Sequence, residues 1–485
     1  MKKPTPSFSL PAAWLCMAAL LAACGGGGGG TSAPVPQVSN STTQGNVTIS
    51  ASATSVASGQ PVTLTWSSQD TGGAGCTASG AWSGQLAASG SQQVTPAASG
   101  GASATYAITC GTATGSVAVA VTAPVNTVAV TVDRGPAGAN AFNIPFVSVT
   151  VCRPGTATCQ TIDHVMVDTG SYGLRLIAPL DPGLGLPAVK TASGADAGEC
   201  GQFISGYTWG AVLQADVKLG GETAPAQSVQ IIGQAPGGVS AAPSACTDLG
   251  GNIGTVAALG ANGVLGVGLF KEDCGTACSF GAPAAAYYAC ANGSCTPTAM
   301  PLAKQVSNPV TGFSRDNNGI VLSMPAVGAG GANSLTGTLI FGIGTQANNA
   351  LGGATKFAAD QRGDFTTVYK GTRMTSSFID SGSNGLFFTD ASIPTCSISK
   401  AFYCPTKPLT LTATLESYDG TTSAPVTFTL QNIDQLPDAV VAGWVGGTNS
   451  GKNGGDSFDW GLPFFYGRKV FVGIETATQQ PYWAF

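Results

Sequence analysis

An all-β protein is what this sequence predicts, and three observations carry the prediction. Apolar residues come in short alternating runs, such as Val62-Thr63-Leu64-Thr65-Trp66 and Val117-Ala118-Val119-Ala120-Val121, the period-two pattern of a strand with one buried face. Gly, with 69 of the 485 residues, joins Asn, Asp and Pro in dividing these runs at turns. Charged residues make up only 9% of the chain, so the Glu/Lys/Leu-rich repeats of long helices are missing. The length allows two to four domains with substantial cores. A net charge of -5, without a basic patch interleaved with aromatics, excludes a nucleic-acid partner. The single histidine, His164, excludes a multi-histidine metal site. A Ser-His-Asp triad would have to use His164, whereas a polar side chain on the outer face of a strand accounts for it.

At the N-terminus Lys2 and Lys3 precede an apolar run from Phe8 to Ala23, which ends in Leu21-Ala22-Ala23-Cys24-Gly25. A basic start, an apolar stretch and small residues before a cleavage point make a secretory signal over 1–23. The stretch resembles a bacterial lipoprotein signal, which implies lipidation at Cys24 and a membrane anchor there. Gly25 to Gly30 would serve as a leash, and Gly25 in place of Asp points to the outer membrane. The expected location is the cell envelope, on an outer-membrane lipoprotein facing the periplasm or the cell surface. No later segment reaches transmembrane length. Residues 24–45, rich in Gly, Ser, Thr, Pro, Gln and Asn, read as a flexible linker.

Fourteen cysteines fit an oxidising compartment. Cys16 leaves with the signal and Cys24 carries lipid, so twelve remain for disulfides. Proximity pairs Cys76 with Cys110, Cys152 with Cys159, Cys200 with Cys246, and Cys396 with Cys404. Cys274, Cys278, Cys290 and Cys295 form two more pairs of open connectivity, with a four-thiolate zinc site as the weaker alternative. No metal and no cofactor are expected.

Residues 46–123 alternate like a small β-sandwich and resemble bacterial immunoglobulin-like modules of surface proteins. Trp66 precedes Cys76, whereas an antibody domain places its core Trp after the first Cys, so only an Ig-like spacer is implied. Residues 128–335 and 336–485 form one large β-rich unit, read as an N-terminal and a C-terminal lobe.

Two stretches of that unit repeat one another. Asp168-Thr169-Gly170-Ser171-Tyr172-Gly173-Leu174 and Asp380-Ser381-Gly382-Ser383-Asn384-Gly385-Leu386 lie 212 residues apart and agree at five of seven positions. Each follows an apolar run, so each reads as a buried strand ending in a carboxylate and a sharp turn. Duplication of such an acid points to two carboxylates brought together to share one proton, one acting as general base and the other as general acid. Gly170 and Gly382 allow close approach of backbone amides. The hydroxyls of Thr169 and Ser381 can bond the opposite loop, and those of Ser171 and Ser383 can orient the acids.

Four further stretches occur in matching order: Asn262-Gly263-Val264-Leu265-Gly266-Val267-Gly268, Thr336-Gly337-Thr338-Leu339-Ile340-Phe341-Gly342, Gly461-Leu462-Pro463-Phe464-Phe465-Tyr466, and Lys469-Val470-Phe471-Val472. With both acid loops they make residues 128–485 resemble the pepsin-like aspartic peptidases, and more closely a bacterial lipoprotein family of unknown function related to pepsins. The resemblance implies a bilobed all-β fold and an aspartic endopeptidase in which Asp168 and Asp380 activate water. It implies a peptide or protein substrate, a monomer, and a flap hairpin with Tyr207 as its aromatic, Trp209 competing for the place. Arg175 stands where the family has a flap-supporting tryptophan, and Asp459-Trp460 stands where two apolar residues are expected. The alternative is an inactive pepsin-like surface lipoprotein that binds a peptide, glycan or envelope component.

Overall fold

A computed structural model describes residues 42–44, 47–57, 60–69, 75–96, 103–122, 126–248, 250–280, 286–436, 438–449 and 456–485. The signal expected at 1–23, the lipidation site Cys24 and the linker through residue 41 lie outside these residues. Thr42–Gln44, within the stretch expected as linker, is a strand that pairs with Ala113–Thr122. Among the described residues no helix is long and apolar enough to cross a membrane.

Residues 42–122 build two sheets. One orders Thr42–Gln44, Ala113–Thr122, Ser103–Cys110, Cys76–Gly80 and Gly84–Leu86; the other orders Val47–Ala51, Val62–Ser68 and Ser89–Val94. Period-two alternation sends Val47, Ile49, Val62, Leu64, Trp66, Tyr106, Ile108, Val117, Val119 and Val121 into a common core. Trp66 meets Trp82 edge to face with ring centroids 5.5 Å apart. Cys76 sits directly opposite Cys110 in the register, so this disulfide joins neighbouring strands of one sheet and does not cross the core.

Among the described residues the rest of the chain is also mainly β, with only short helices, and its two acid strands fall in different sheets. Cys159–Asp168 belongs to a fifteen-stranded sheet, while Thr372–Ile379 belongs to a seven-stranded one. The run Thr127–Val132, Leu335–Phe341, Gly319–Met324, Arg468–Gly473, Tyr482–Ala484, Lys356–Ala358 lies within the larger sheet and draws on distant parts of the chain. The boundary expected at 335/336 therefore falls at the first residues of one of these shared strands. One apolar core, from Val130 to Trp483, spans both sheets. This all-β, two-lobed layout is consistent with the expected pepsin-like fold.

Six disulfides staple the described residues. Cys76–Cys110, Cys152–Cys159, Cys200–Cys246 and Cys396–Cys404 form as proximity predicts, and the open set resolves as Cys274–Cys278 and Cys290–Cys295. Bonding of those last four sulfurs to one another removes the thiolates a zinc site would need. Cys152–Cys159 ties the start of the first acid strand to its neighbour. Cys200–Cys246 closes a loop of 46 residues, and loop-closure entropy assigns such a link about 4 kcal/mol.

Candidate active site

Each acid ends a strand that is threaded in the same way. Cys159–Asp168 runs parallel to Gly263–Val267, and the return strand Tyr172–Ile177 runs antiparallel to that same partner. In the second lobe Thr372–Ile379 runs parallel to Asp459–Trp460, and Leu386–Phe387 returns antiparallel to it. The registers superimpose residue for residue. Val167 faces Leu265 as Ile379 faces Trp460, and Met166 faces Val264 as Phe378 faces Asp459. Arg175 likewise corresponds to Phe387.

Reciprocal hydrogen bonds lock the loops together. Thr169 Oγ1 donates to the Ile379 carbonyl at 2.9 Å and accepts from the Ser381 amide at 2.9 Å. Ser381 Oγ donates to the Val167 carbonyl at 2.7 Å and accepts from the Thr169 amide at 3.1 Å. Both hydroxyl residues are fully buried, so these bonds satisfy main-chain groups that water cannot reach.

Each carboxyl is held by its own loop. The Gly170 amide donates to Asp168 Oδ1 at 2.8 Å and Ser171 Oγ to Oδ2 at 2.5 Å. The Gly382 amide donates to Asp380 Oδ1 at 2.7 Å and Ser383 Oγ to Oδ2 at 2.8 Å. The glycines matter because the acids cross over. A Cβ on Gly170 would sit 2.7 Å from Asp380 Cγ, and one on Gly382 would sit 2.9 Å from Asp168 Oδ1. Asp168 and Asp380 thus lie side by side, each carboxyl within the field of the other. Burial, then the Asp168 charge, holds the Asp380 carboxyl well above its ordinary range. Such a pair retains one proton where isolated carboxyls would have lost both.

The other sequence expectations fall as follows. Tyr207 lies on the hairpin of Asp196–Phe203 and Gly206–Leu219, as expected, but packs with Trp209 on the disulfide side, beside Cys200, Cys246, Tyr288 and Cys290. Strand alternation explains this: Gln202 pairs with Tyr207, whereas Phe203 pairs with Gly206 and turns to the opposite face. On that face Arg175 lies 5.7 Å from the Phe203 ring, so Phe203 is the hairpin aromatic next to the first acid loop's return strand. His164 sits outside any triad, at a backbone φ of 47°, with Asp163 at 2.8 Å and Asp133 at 3.3 Å.

Three features were not read from the sequence. Arg175 is buried and bonds Glu199 at 2.5 Å and Asp273 at 3.0 Å, while Tyr287 donates to Asp273 at 2.6 Å. Burial lowers the Arg175 guanidinium, but the two acids more than offset this and hold it above its ordinary value; burial and Glu199 push Asp273 up. Asn143 donates to the Asn384 carbonyl at 3.0 Å and to the Ala442 carbonyl at 2.8 Å, so the first lobe grips the second acid loop. Asp459, buried beside that loop, has a carboxyl pushed up to about 8, by burial first and then by the Asp168 charge. Asn143 carried no local signal. Arg175 and Asp459 were visible as charges in apolar patterns, and that mismatch was the signal.

The family described as "Protein of unknown function (DUF3443)" matches residues 122–485. No curated protein matches the chain. Among solved structures, the aspartic proteinase from Irpex lacteus is similar at 18% identity and a TM-score of 0.41, over 74% of this chain and 96% of that one.

Proposed function

This chain belongs to the DUF3443 family of proteins of unknown function, and we propose that it is an aspartic endopeptidase using Asp168 and Asp380. The observation that carries the reading is the acid pair itself, with each carboxyl braced by a glycine amide and a serine hydroxyl and the loops locked by Thr169 and Ser381. In the working state the pair holds one proton, carried by the raised Asp380 carboxyl. Asp168 takes a proton from a water lying between the carboxyls as that water attacks the peptide carbonyl. Asp380 gives its proton to the carbonyl oxygen, and the resulting gem-diol collapses with proton transfer to the leaving amine. Activity falls in acid as the pair takes up a second proton and falls in alkali as it loses the one it shares. The six disulfides support an exported enzyme, which the N-terminal signal reading would tether to the envelope through Cys24.

The test is cleavage of a mixed peptide library across pH, followed by mass spectrometry. Wild type is expected to cut best below neutral pH and to be blocked by peptides carrying a hydroxyl-bearing mimic of the tetrahedral intermediate. Asp168→Asn and Asp380→Asn are each expected to lower kcat by about 10³-fold or more. Cleavage that persists undiminished in both variants removes the assignment.

A further inference from the structure

The repeated acid loops differ at their fifth position, Tyr172 in the first and Asn384 in the second, yet the carbonyl of that residue is held in both. Arg175 Nη1 donates to the Tyr172 carbonyl at 2.7 Å, and Asn143 Nδ2 donates to the Asn384 carbonyl at 3.0 Å. Both donors are buried, Arg175 at 4% exposure and Asn143 at 0%. Each is also held in a fixed orientation. Asn143 uses its whole side-chain amide: Nδ2 also donates to the Ala442 carbonyl at 2.8 Å, while Oδ1 accepts from the Ala442 amide at 2.8 Å and from the Tyr466 hydroxyl at 2.9 Å. The reciprocal pair with Ala442 settles which end is nitrogen and leaves one N–H, which points at Asn384. The Asn143 backbone, at a φ of 50°, lies in the left-handed region, which asparagine enters more readily than most residues. Arg175 is oriented by its other terminal nitrogen. Nη2 bonds Glu199 of the hairpin strand Asp196–Phe203 at 2.5 Å and Asp273 at 3.0 Å, and the planar fork then directs Nη1 to the loop.

The held carbonyl belongs to the residue after the serine that orients the acid. Ser171 Oγ bonds Asp168 Oδ2, and Ser383 Oγ bonds Asp380 Oδ2. A swing of the next peptide unit would carry the serine, and with it the carboxyl, out of line. We propose that Arg175 and Asn143 are matched positioning residues of this active site, each pinning the carbonyl after the serine and so keeping its acid loop in the geometry the pair needs. The two come from different places. Arg175 stands on the return strand of its own loop and ties that loop to the hairpin. Asn143 stands in the first lobe, between Thr127–Val132 and Pro145–Cys152, and reaches the loop of the second. The catalytic consequence rests on the peptidase reading, whereas the hold on each loop can be measured without a substrate.

The experiment compares wild type with Asn143→Gly, Arg175→Lys and a control, Asn126→Gly. Glycine keeps the left-handed backbone at 143 and removes the amide. Lysine keeps a positive charge for Glu199 and Asp273 but lacks the second nitrogen that serves Tyr172. Asn126 is equally buried, bonding the Phe341 carbonyl at 2.9 Å and Asn348 at 2.8 Å, neither of them in an acid loop. Amide hydrogen exchange, read by mass spectrometry, is expected to quicken about threefold or more over residues 380–386 in Asn143→Gly and over 168–174 in Arg175→Lys, and over neither in Asn126→Gly. On a peptide substrate kcat should fall about tenfold in each of the first two, the order of one lost hydrogen bond, with KM moving less. Their bell-shaped pH profiles should also narrow, because acids held less closely separate their two proton losses less. Asn126→Gly should lower the thermal midpoint and leave kcat and the profile in place. Loop exchange, kcat and profile that in Asn143→Gly match those of Asn126→Gly, or that stay at wild-type values in Arg175→Lys, overturn the positioning role and leave the peptidase reading intact. Should Asn143→Gly fail to fold, Arg175→Lys decides. A wild type that cuts no peptide at any pH defeats the peptidase reading and the catalytic part of this role together, while the exchange rates still judge the hold on the loops.

Discussion

Behind Asp168 the return strand carries Arg175, buried among Glu199, Asp273 and Tyr287, whereas behind Asp380 the same position is Phe387, in an aromatic neighbourhood. There Phe387 meets Phe402 at 5.6 Å, while Phe388 stacks on Phe458 at 4.6 Å and Phe458 on Trp460 at 4.1 Å. The strand threading and the hydrogen bonds to the two carboxyls are nevertheless the same. The shared geometry depends on few residues: an acid, a hydroxyl residue, a glycine and a serine in each loop. What packs behind them is free to differ as long as it fills the space. The two solutions differ in how they fail. An aromatic stack loses contact area when one ring is trimmed, but an ion network leaves buried charges uncompensated when one member goes.

That contrast can be broken at three depths. Arg175→Leu should have the largest effect, about 3–5 kcal/mol of destabilisation, because Glu199 and Asp273 are left facing each other; denaturant unfolding measures it. A loss no larger than that of Phe387→Leu would erase the distinction between the lobes. Next come Gly170→Ala and Gly382→Ala, which strike the part the loops share. The added methyl meets the opposite acid, so each should cost about 1–3 kcal/mol and about 10²-fold in kcat/KM through displaced carboxyls. Equal losses in the two variants support a common plan, and a tolerated alanine in either loop argues against it. The smallest effect on activity is expected from Thr169→Val, which removes one donor and one acceptor from the lock between the lobes and should cost about 1–3 kcal/mol of stability. Ser381→Ala should match it, since the two hydroxyls make mirrored bonds.

Much of the site could be read before any coordinates. The repeated heptapeptide identified both acids and every side chain that braces them, because such loops need particular residue types at adjacent positions. Tyr207 shows where linear reading stopped. Its distance from Asp168 suited a flap aromatic, but the side a strand residue faces depends on register, and register placed Phe203 beside Arg175 instead. The Arg175 network escaped notice because its members, Arg175, Glu199 and Asp273, span 98 residues and carry no mutual spacing. Asp459 was noticed only as a misfit in an apolar strand.

The all-β class, the duplicated acid loops and four of the disulfide pairs follow from local pattern, since alternation, turn chemistry and cysteine proximity act over a few residues to a few dozen. The approach of Asp168 to Asp380, the grip of Asn143 on the second loop, and the unequal surroundings of the two acids needed the folded chain. These depend on which strands become neighbours across hundreds of residues, and that choice belongs to the burial of the whole core, not to any one segment.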